Sequence, residues 1–248
     1  MKRQKFFCFM VFVFVVIAII GLVNTLAQSS QSTVQNLFQK GNAGSNEIHI
    51  IDAPFIGQME LYPTGCESTS AVMALQYFGI DISVDDFVDN YLDLGTPPFE
   101  YDGILYGDSP WDCFLGSPYD ESGWGCYSPV IKSALQKVLT DSNYIASYYL
   151  GTTLQAICTE YIDNDLPVIL WATMEMREAS YTSTWLTPDG NQVTWISPEH
   201  CLLLVGYDND YYYFNDSRQG KQTAYPKDEV ETAYESMFSQ AVVITPIK

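Results

Sequence analysis

Histidine is nearly missing from this chain, with two among 248 residues, and cations are scarce, with 11 Lys+Arg against 30 Asp+Glu. The first scarcity means that any cysteine–histidine or histidine-based chemistry must use His49 or His200. The second, a net charge of −19, excludes nucleic acid as a partner, because phosphate binding needs a basic footprint. It fits a secreted, soluble protein and is compatible with cationic substrates. Zinc-ligand spacing, a phosphate loop and EF-hand spacing are all lacking, so no metal or other cofactor is expected. The acidic groups Asp85, Asp86 and Asp89 read as a solvated helix face, and Asp208 and Asp210 as a hairpin tip. There is no internal repeat. With 47% hydrophobic and only 17% charged residues, the chain has the composition of a packed domain and not of a disordered one.

The first 27 residues have the pattern of a targeting segment. Met1-Lys2-Arg3-Gln4-Lys5 is basic, Phe6 to Val23 is apolar throughout, and Thr25-Leu26-Ala27 resembles a small-residue cleavage site. The apolar run just reaches the length that spans a bilayer, so a cleaved signal peptide and an uncleaved membrane anchor both fit. Either places the body of the protein outside the cytoplasm. Residues 28–47 are rich in Gln, Ser, Asn and Gly and read as a polar linker, leaving 48–248 as the folded domain, expected to be a monomer. Beyond Cys8, five cysteines remain, an odd number that leaves at least one thiol free. Cys158 lies on a core-facing stripe with Leu154, Ile157, Tyr161 and Ile162, and Cys201 alternates away from His200 on its strand. Both read as inert core thiols. Cys113 and Cys126 flank a loop, and the sequence leaves their pairing open.

Helical signals come first and strand signals later, an α+β plan in one domain. Ile48 to Pro54 suggests an entering strand. Polar Tyr62-Pro63-Thr64-Gly65 runs into Cys66-Glu67-Ser68-Thr69, and an apolar helix is expected from there to Phe78, closed by Gly79. Ser83 is an N-cap for a helix over 84–92. Residues 93–127 form a long irregular stretch. A helix starts at Ser128-Pro129, another after Thr152 or Thr153, and Leu166 to Thr173 is a continuous apolar strand. Pro188-Asp189-Gly190 and Asp208-Asn209-Asp210 mark two hairpins, and a helix over 227–238 precedes a last strand over 241–245.

The chemistry concentrates on Cys66 and His200. A cysteine delivered by a turn to the first turn of a helix meets unpaired N–H groups and the positive dipole end, which favour thiolate. If residues 208–210 form the last hairpin's loop, Tyr207 pairs with Tyr211 and Leu202 lies opposite Asp216. His200 then shares a sheet face with Asp216, diagonally placed at roughly 7–8 Å between backbones, where a carboxylate would orient the imidazole. Each residue also has a plainer reading: a structural cysteine, a satisfied core histidine, a strand-ending turn. The three occurring together favour the catalytic one.

These residues have a recognisable setting. Ala53-Pro54-Phe55-Ile56-Gly57-Gln58, Pro63-Thr64-Gly65-Cys66-Glu67-Ser68-Thr69, Phe114-Leu115-Gly116-Ser117-Pro118, Gly123 to Pro129, Glu199-His200 through Gly206-Tyr207-Asp208, and Phe214-Asn215-Asp216 together resemble the bacteriocin-processing peptidases, family thirty-nine of the cysteine peptidases. The likeness is to their stand-alone extracytoplasmic branch in Gram-positive bacteria. It implies a papain-like fold, a helical lobe with a buried nucleophile helix and an antiparallel-sheet lobe. It implies Cys66 as nucleophile, His200 as general base, Asp216 as its orienter and Gln58 as an oxyanion donor. One departure bears on the leader substrate and not on the chemistry: the members that cut double-glycine leaders do so from the cytosolic side, fused to a transporter absent from these 248 residues. The expected activity is hydrolysis of a peptide or protein through an acyl-enzyme. The rival readings are acyl transfer to an amine on the same site and a papain-like binding module without turnover.

Overall fold

The computed structural model describes residues 48–247; the targeting segment expected over 1–27 and the linker expected over 28–47 lie outside them. Strand β1 (His49–Ile50) is shorter than the entering strand expected from the sequence. Beyond it the carbonyls of Ala53 and Pro54 are taken by the Asn215 side-chain amide at 3.2 and 2.9 Å, and Pro54 has no N–H to continue a ladder. Helix α1 (Cys66–Tyr77) starts where the sequence places it. Gly65 is needed there, since a Cβ would come within 2.9 Å of the Tyr62 Cβ and 3.2 Å of the Pro118 Cβ. The helix closes at Phe78, followed by Gly79 at φ +76°. Residues 66–75 are all buried, and two of the three hydroxyls among them find internal partners, Ser68 Oγ having none. Thr69 Oγ1 donates back to the Cys66 carbonyl at 3.0 Å and Ser70 Oγ to the Cys201 carbonyl at 3.3 Å.

Helix α2 (Val84–Tyr91) is capped by Ser83, whose Oγ accepts the Asp86 N–H at 3.0 Å. The stretch that the sequence leaves irregular contains four short strands: β2 (Leu94–Gly95), β3 (Phe99–Tyr101), β4 (Ile104–Tyr106) and β5 (Phe114–Leu115). Helix α3 (Ser128–Val138) buries Val130, Ile131, Ala134 and Leu135. Then come β6 (Tyr144–Tyr149), α4 (Leu154–Glu160) capped by Thr153, and the wholly buried β7 (Val168–Thr173). The hairpin β8 (Ser180–Leu186) and β9 (Gln192–Ser197) leads into β10 (Glu199–Tyr207), β11 (Tyr211–Asp216) and β12 (Gly220–Pro226). Helix α5 (Lys227–Ser236) ends two residues short of the sequence estimate, because Phe238 and Ser239 turn to φ +63° and +49° before β13 (Ala241–Pro246).

The main sheet runs β12-β11-β10-β7-β13-β6 with antiparallel neighbours, and β1 pairs with the far end of β10. A smaller sheet, β3-β4-β8-β9, and the parallel pair β2-β5 lie outside it. This is the α+β, papain-like arrangement: α1 packs against β10, the central strand that carries His200.

The β10–β11 hairpin differs from its expected register in an instructive way. Tyr207 pairs with Tyr212, one residue beyond the anticipated Tyr211, and Gly206 with Tyr213. A bulge between Leu204 and Gly206 absorbs the extra residue, so that Leu204 pairs with Phe214 and Leu203 with Asn215. The bulge restores the parity that the three-residue loop had been expected to supply.

With cations few, several carboxylates are met by phenols. Tyr62 donates to Asp85 at 2.9 Å, Tyr119 to Asp89 at 3.0 Å, Tyr207 to Asp163 at 2.7 Å and Tyr213 to Asp208 at 2.8 Å. Of the acidic groups read from sequence as a solvated face and a hairpin tip, these contacts engage Asp85, Asp89 and Asp208, and Asp86 instead accepts from the Ser83 hydroxyl at 2.7 Å. Among the described residues no helix is long and apolar enough to cross a membrane.

Candidate active site

His200 and Asp216 are brought together. Nε2 of His200 lies 2.8 Å from Asp216 Oδ1, and both side chains are 1% exposed. Asp216 is further held by the Arg218 backbone N–H at 2.9 Å on Oδ1 and by the Tyr225 hydroxyl at 2.7 Å on Oδ2. Burial works against its ionisation, but the hydrogen bond and charge of His200, then Tyr225 and Arg218, outweigh it and hold its carboxyl below the usual aspartate range. An ionised Asp216 fixes the proton of a neutral His200 on Nε2. That leaves Nδ1, which is buried without a partner, as the basic nitrogen.

Cys66 is the first residue of α1, as expected, and 5% exposed. Its electrostatic setting differs from the sequence expectation. The thiol donates to Glu67 Oε2 at 3.3 Å, so the hydrogen bond it makes is to a carboxyl and not to His200. Burial first, then the negative charges of Glu67 and Glu199, push the thiol well above its ordinary value. The helix-start effect that favours thiolate is opposed here, because a desolvated sulfur beside buried carboxyls is a poor place for a further negative charge.

Glu67 and Glu199 are the functional candidates that sequence reasoning missed. They are 0% and 5% exposed. Glu67 Oε1 accepts the Cys126 N–H at 2.6 Å, whereas Glu199 Oε1 is buried with no partner. Burial raises both carboxyls, and for Glu199 the neighbouring Glu67 charge adds to it. Cys66 Sγ and one oxygen from each glutamate lie within 4.8 Å of one another, a ligand set that could hold a metal ion. A signal was present in the sequence: Glu67 is the one charged residue in a helix of otherwise uncharged residues. Its partner, far away on β10, had no local signature.

Gln58 is 1% exposed, a buried glutamine and not a surface one. Its Nε2 donates to the carbonyls of Tyr62 at 3.3 Å and Pro63 at 3.1 Å. Its Oε1 accepts from Ser217 Oγ, and its backbone N–H donates to the Ser217 carbonyl at 3.0 Å. Gln58 thus ties the turn that delivers Cys66 to the residue following Asp216. His49 stands apart as a half-exposed β1 residue, 3.1 Å from Asp165. All five cysteines of the domain are free, Cys113 being partly exposed and the others buried.

Comparison with known proteins places this chain in a family. A curated relative, the uncharacterized protein YvpB of Bacillus subtilis strain 168, is 31% identical over 198 residues, covering 78% of this chain and 75% of that protein. A solved structure from Bacillus anthracis described as a C39-like peptidase matches with a TM-score of 0.70 and 28% identity, over 80% of this chain and 98% of its own. Residues 50–242 match the profile of the peptidase C39-like family, and the chain belongs to that family.

Proposed function

We propose that the protein is a cysteine peptidase working outside the cytoplasm, with Cys66 as nucleophile, His200 as general base and acid, and Asp216 as the residue that orients His200. The observation that carries the reading is the buried His200–Asp216 pair, which leaves one imidazole nitrogen unpartnered on the strand packed against the nucleophile helix. Because Nε2 is committed to Asp216, the proton from Cys66 must pass to Nδ1. For that the thiol turns away from Glu67. The thiolate attacks the peptide carbonyl, His200 delivers the Nδ1 proton to the leaving amine, and water activated by the same nitrogen releases the acyl-enzyme. Gln58 is placed by its hydrogen bonds beside the Cys66 turn. To serve as an oxyanion donor, together with the Cys66 backbone N–H, its amide would exchange one of the carbonyls of Tyr62 or Pro63 for the substrate oxyanion.

The test is incubation of residues 48–248 with a peptide library, the cut sites being read by mass spectrometry beside Cys66→Ala and His200→Ala controls. Cuts made by the parent and absent from both controls are expected. Cuts that persist in Cys66→Ala, or a parent that folds and cuts nothing while transferring acyl groups to an added amine, would reject the hydrolase. The extracytoplasmic placement rests on residues 1–27, and fractionation of an expressing cell tests it.

A further inference from the structure

The only two arginines among the described residues stand at one place. Arg177 follows the turn Met174–Met176 at the end of β7, and Arg218 lies in the turn between β11 and β12. Strand β10 starts between them, pairing His200 with Ala172 of β7. Antiparallel pairing thus brings the end of β7, the start of β10 and the end of β11 to the same end of the main sheet. Glu175 and Arg177 from the first turn, and Arg218 and Gln219 from the second, line a small cleft there with His200 and Asp216. The turn that delivers Arg177 is strained: Glu175 and Met176 take left-handed conformations at φ +55° and +56°, a feature that gathers at functional sites. The carboxylates of the cleft are already engaged. Asp216 meets His200, Tyr225 and the Arg218 backbone, and Glu175 accepts from Gln219 Nε2 at 3.3 Å and lies 3.7 Å from Arg177 Nε. The guanidiniums keep capacity to spare. Arg177 commits Nε to the Met174 carbonyl at 3.1 Å, and half-buried Arg218 makes no ion pair among the described residues.

We propose that Arg177 and Arg218 form a specificity site for a substrate carboxylate on the leaving-group side of the scissile bond. This rests on the peptidase reading above and names a substrate class for it. The acyl half of the substrate stays on Cys66 in α1, whereas the leaving amine takes its proton from His200. Residues after the cut therefore lie over the strand ends that carry His200, where the two guanidiniums stand. The carboxylate has two sources, a free C-terminus or an acidic side chain directly after the cut. Either presents two oxygens to a planar fork of N–H donors, the match for which arginine is suited and lysine is not. The net charge of −19 disfavours such a group over the protein as a whole, so a local arginine pair is what would admit it.

The test compares three synthetic peptides built on one cut site of the parent. The first ends in a free carboxylate on the residue after the cut, the second is amidated there, and the third is amidated with glutamate as that residue. The parent is expected to cut one or both carboxylate peptides with kcat/KM about tenfold or more above the neutral amide, the size of one charge-assisted hydrogen bond. A gain for the first alone identifies a terminal carboxylate, and a gain for the third alone an acidic side chain. Arg177→Gln and Arg218→Gln should each reduce the preference while leaving kcat/KM for the neutral amide unchanged. Arg218→Lys, which keeps the charge without the fork, should retain part of it. Equal rates for the three peptides in the parent overturn the proposal, as does a preference that survives both glutamine variants or a fall that is the same on all three peptides. If the variants do not fold, or no peptide is cut, NMR of the arginine Nε–H groups in nitrogen-15-labelled Cys66→Ala protein decides. The probes are acetyl-trialanine as free acid, its amide, and acetyl-alanyl-glutamyl-alanine amide. The Arg177 and Arg218 signals are expected to shift with one or both carboxylate probes and not with the neutral amide, and signals that respond alike to all three overturn the site. The peptidase reading fails separately. Selective shifts with no peptide cut reject the peptidase and leave the carboxylate site, whereas cuts without discrimination keep the peptidase and reject the site.

Discussion

His200 Nε2 and Asp216 Oδ1 lie 2.8 Å apart with both side chains withdrawn from water, and this contact commits one face of the imidazole while leaving Nδ1 open. Asp216 meets three donors, from His200, Arg218 and Tyr225, so two substitutions separate its roles. Asp216→Ala leaves all three unsatisfied in the interior and is expected to cost about 3 kcal/mol of stability. Asp216→Asn keeps the volume but disturbs the imidazole tautomer. It should remain folded while turnover falls by roughly 10²–10⁴-fold. Denaturant unfolding and peptide cleavage measure the two effects. An Asp216→Asn protein that cuts like its parent would remove the orienting role.

Gln58 is bound into the fold more tightly than an oxyanion donor alone would require. Gln58→Ala deletes its links to Tyr62, Pro63 and Ser217 and is expected to lower stability by about 1–3 kcal/mol as well as turnover by roughly 10²–10³-fold. Ser217→Ala removes only the support of Oε1, and should lower turnover much less. Comparison of kcat with KM for the two variants checks this. If both lose turnover equally, the amide is a structural brace and not a donor to the oxyanion.

The buried glutamates also make stability depend on pH. Burial pushes Glu67 up from 4.5 to about 7, and Glu199 is raised as well. The folded protein therefore holds protons that the unfolded chain has already released. A group raised on folding contributes stability that is complete below its unfolded value and is lost as pH climbs toward its folded one. Between about pH 4.5 and 7 the parent should lose up to about 1.4 kcal/mol per pH unit for each proton so held. Asp216, held low, acts in the opposite sense and at more acid pH. Urea midpoints at pH 5 and pH 7.5 report the trend, and Glu199→Gln should flatten it. A parent more stable at pH 7.5 than at pH 5 would contradict the burial argument.

The parts of the site legible in the sequence are those with local signatures. Gly65-Cys66 announces a helix start, Gly79 its end, and Asp208-Asn209-Asp210 a hairpin that sets His200 and Asp216 on one face. The pairing there was reached by a different route, through Tyr207–Tyr212 and a bulge at Val205, because loop length and bulges trade one residue for another without leaving a mark in composition. The environment of Cys66 was not legible. Whether a helix-start thiol is acidified depends on what faces it, and Glu199 reaches it from a strand more than half the chain away. The short strands within 93–127 were hidden for the same reason: segments such as Leu94–Gly95 and Phe114–Leu115 are too short to show periodicity and are defined only by their partners.

Gly125 offers a test of the crowding beneath the nucleophile that does not touch a titratable group. It sits at φ +132°, its carbonyl accepts the Leu115 N–H at 2.9 Å, and an added Cβ would meet Glu67 Oε1 at 2.6 Å, Glu199 Oε2 at 3.0 Å and the Trp195 ring at 3.4 Å. Two penalties would combine in Gly125→Ala: a backbone conformation that L side chains rarely adopt, and a methyl group forced between two buried carboxyls. Gly151, at φ +71° with nothing within 4 Å of a built Cβ, carries only the first. Gly151→Ala should therefore cost about 1 kcal/mol, and Gly125→Ala about 3 kcal/mol or more, as read from denaturant midpoints at one pH. The excess should be accompanied by a changed Cys66 alkylation rate in Gly125→Ala alone, since displacing Glu67 alters the acceptor of the thiol proton. Equal losses in the two variants would mean that the carboxyls can move aside freely, and that Gly125 is present for its backbone conformation and not for the room it leaves them.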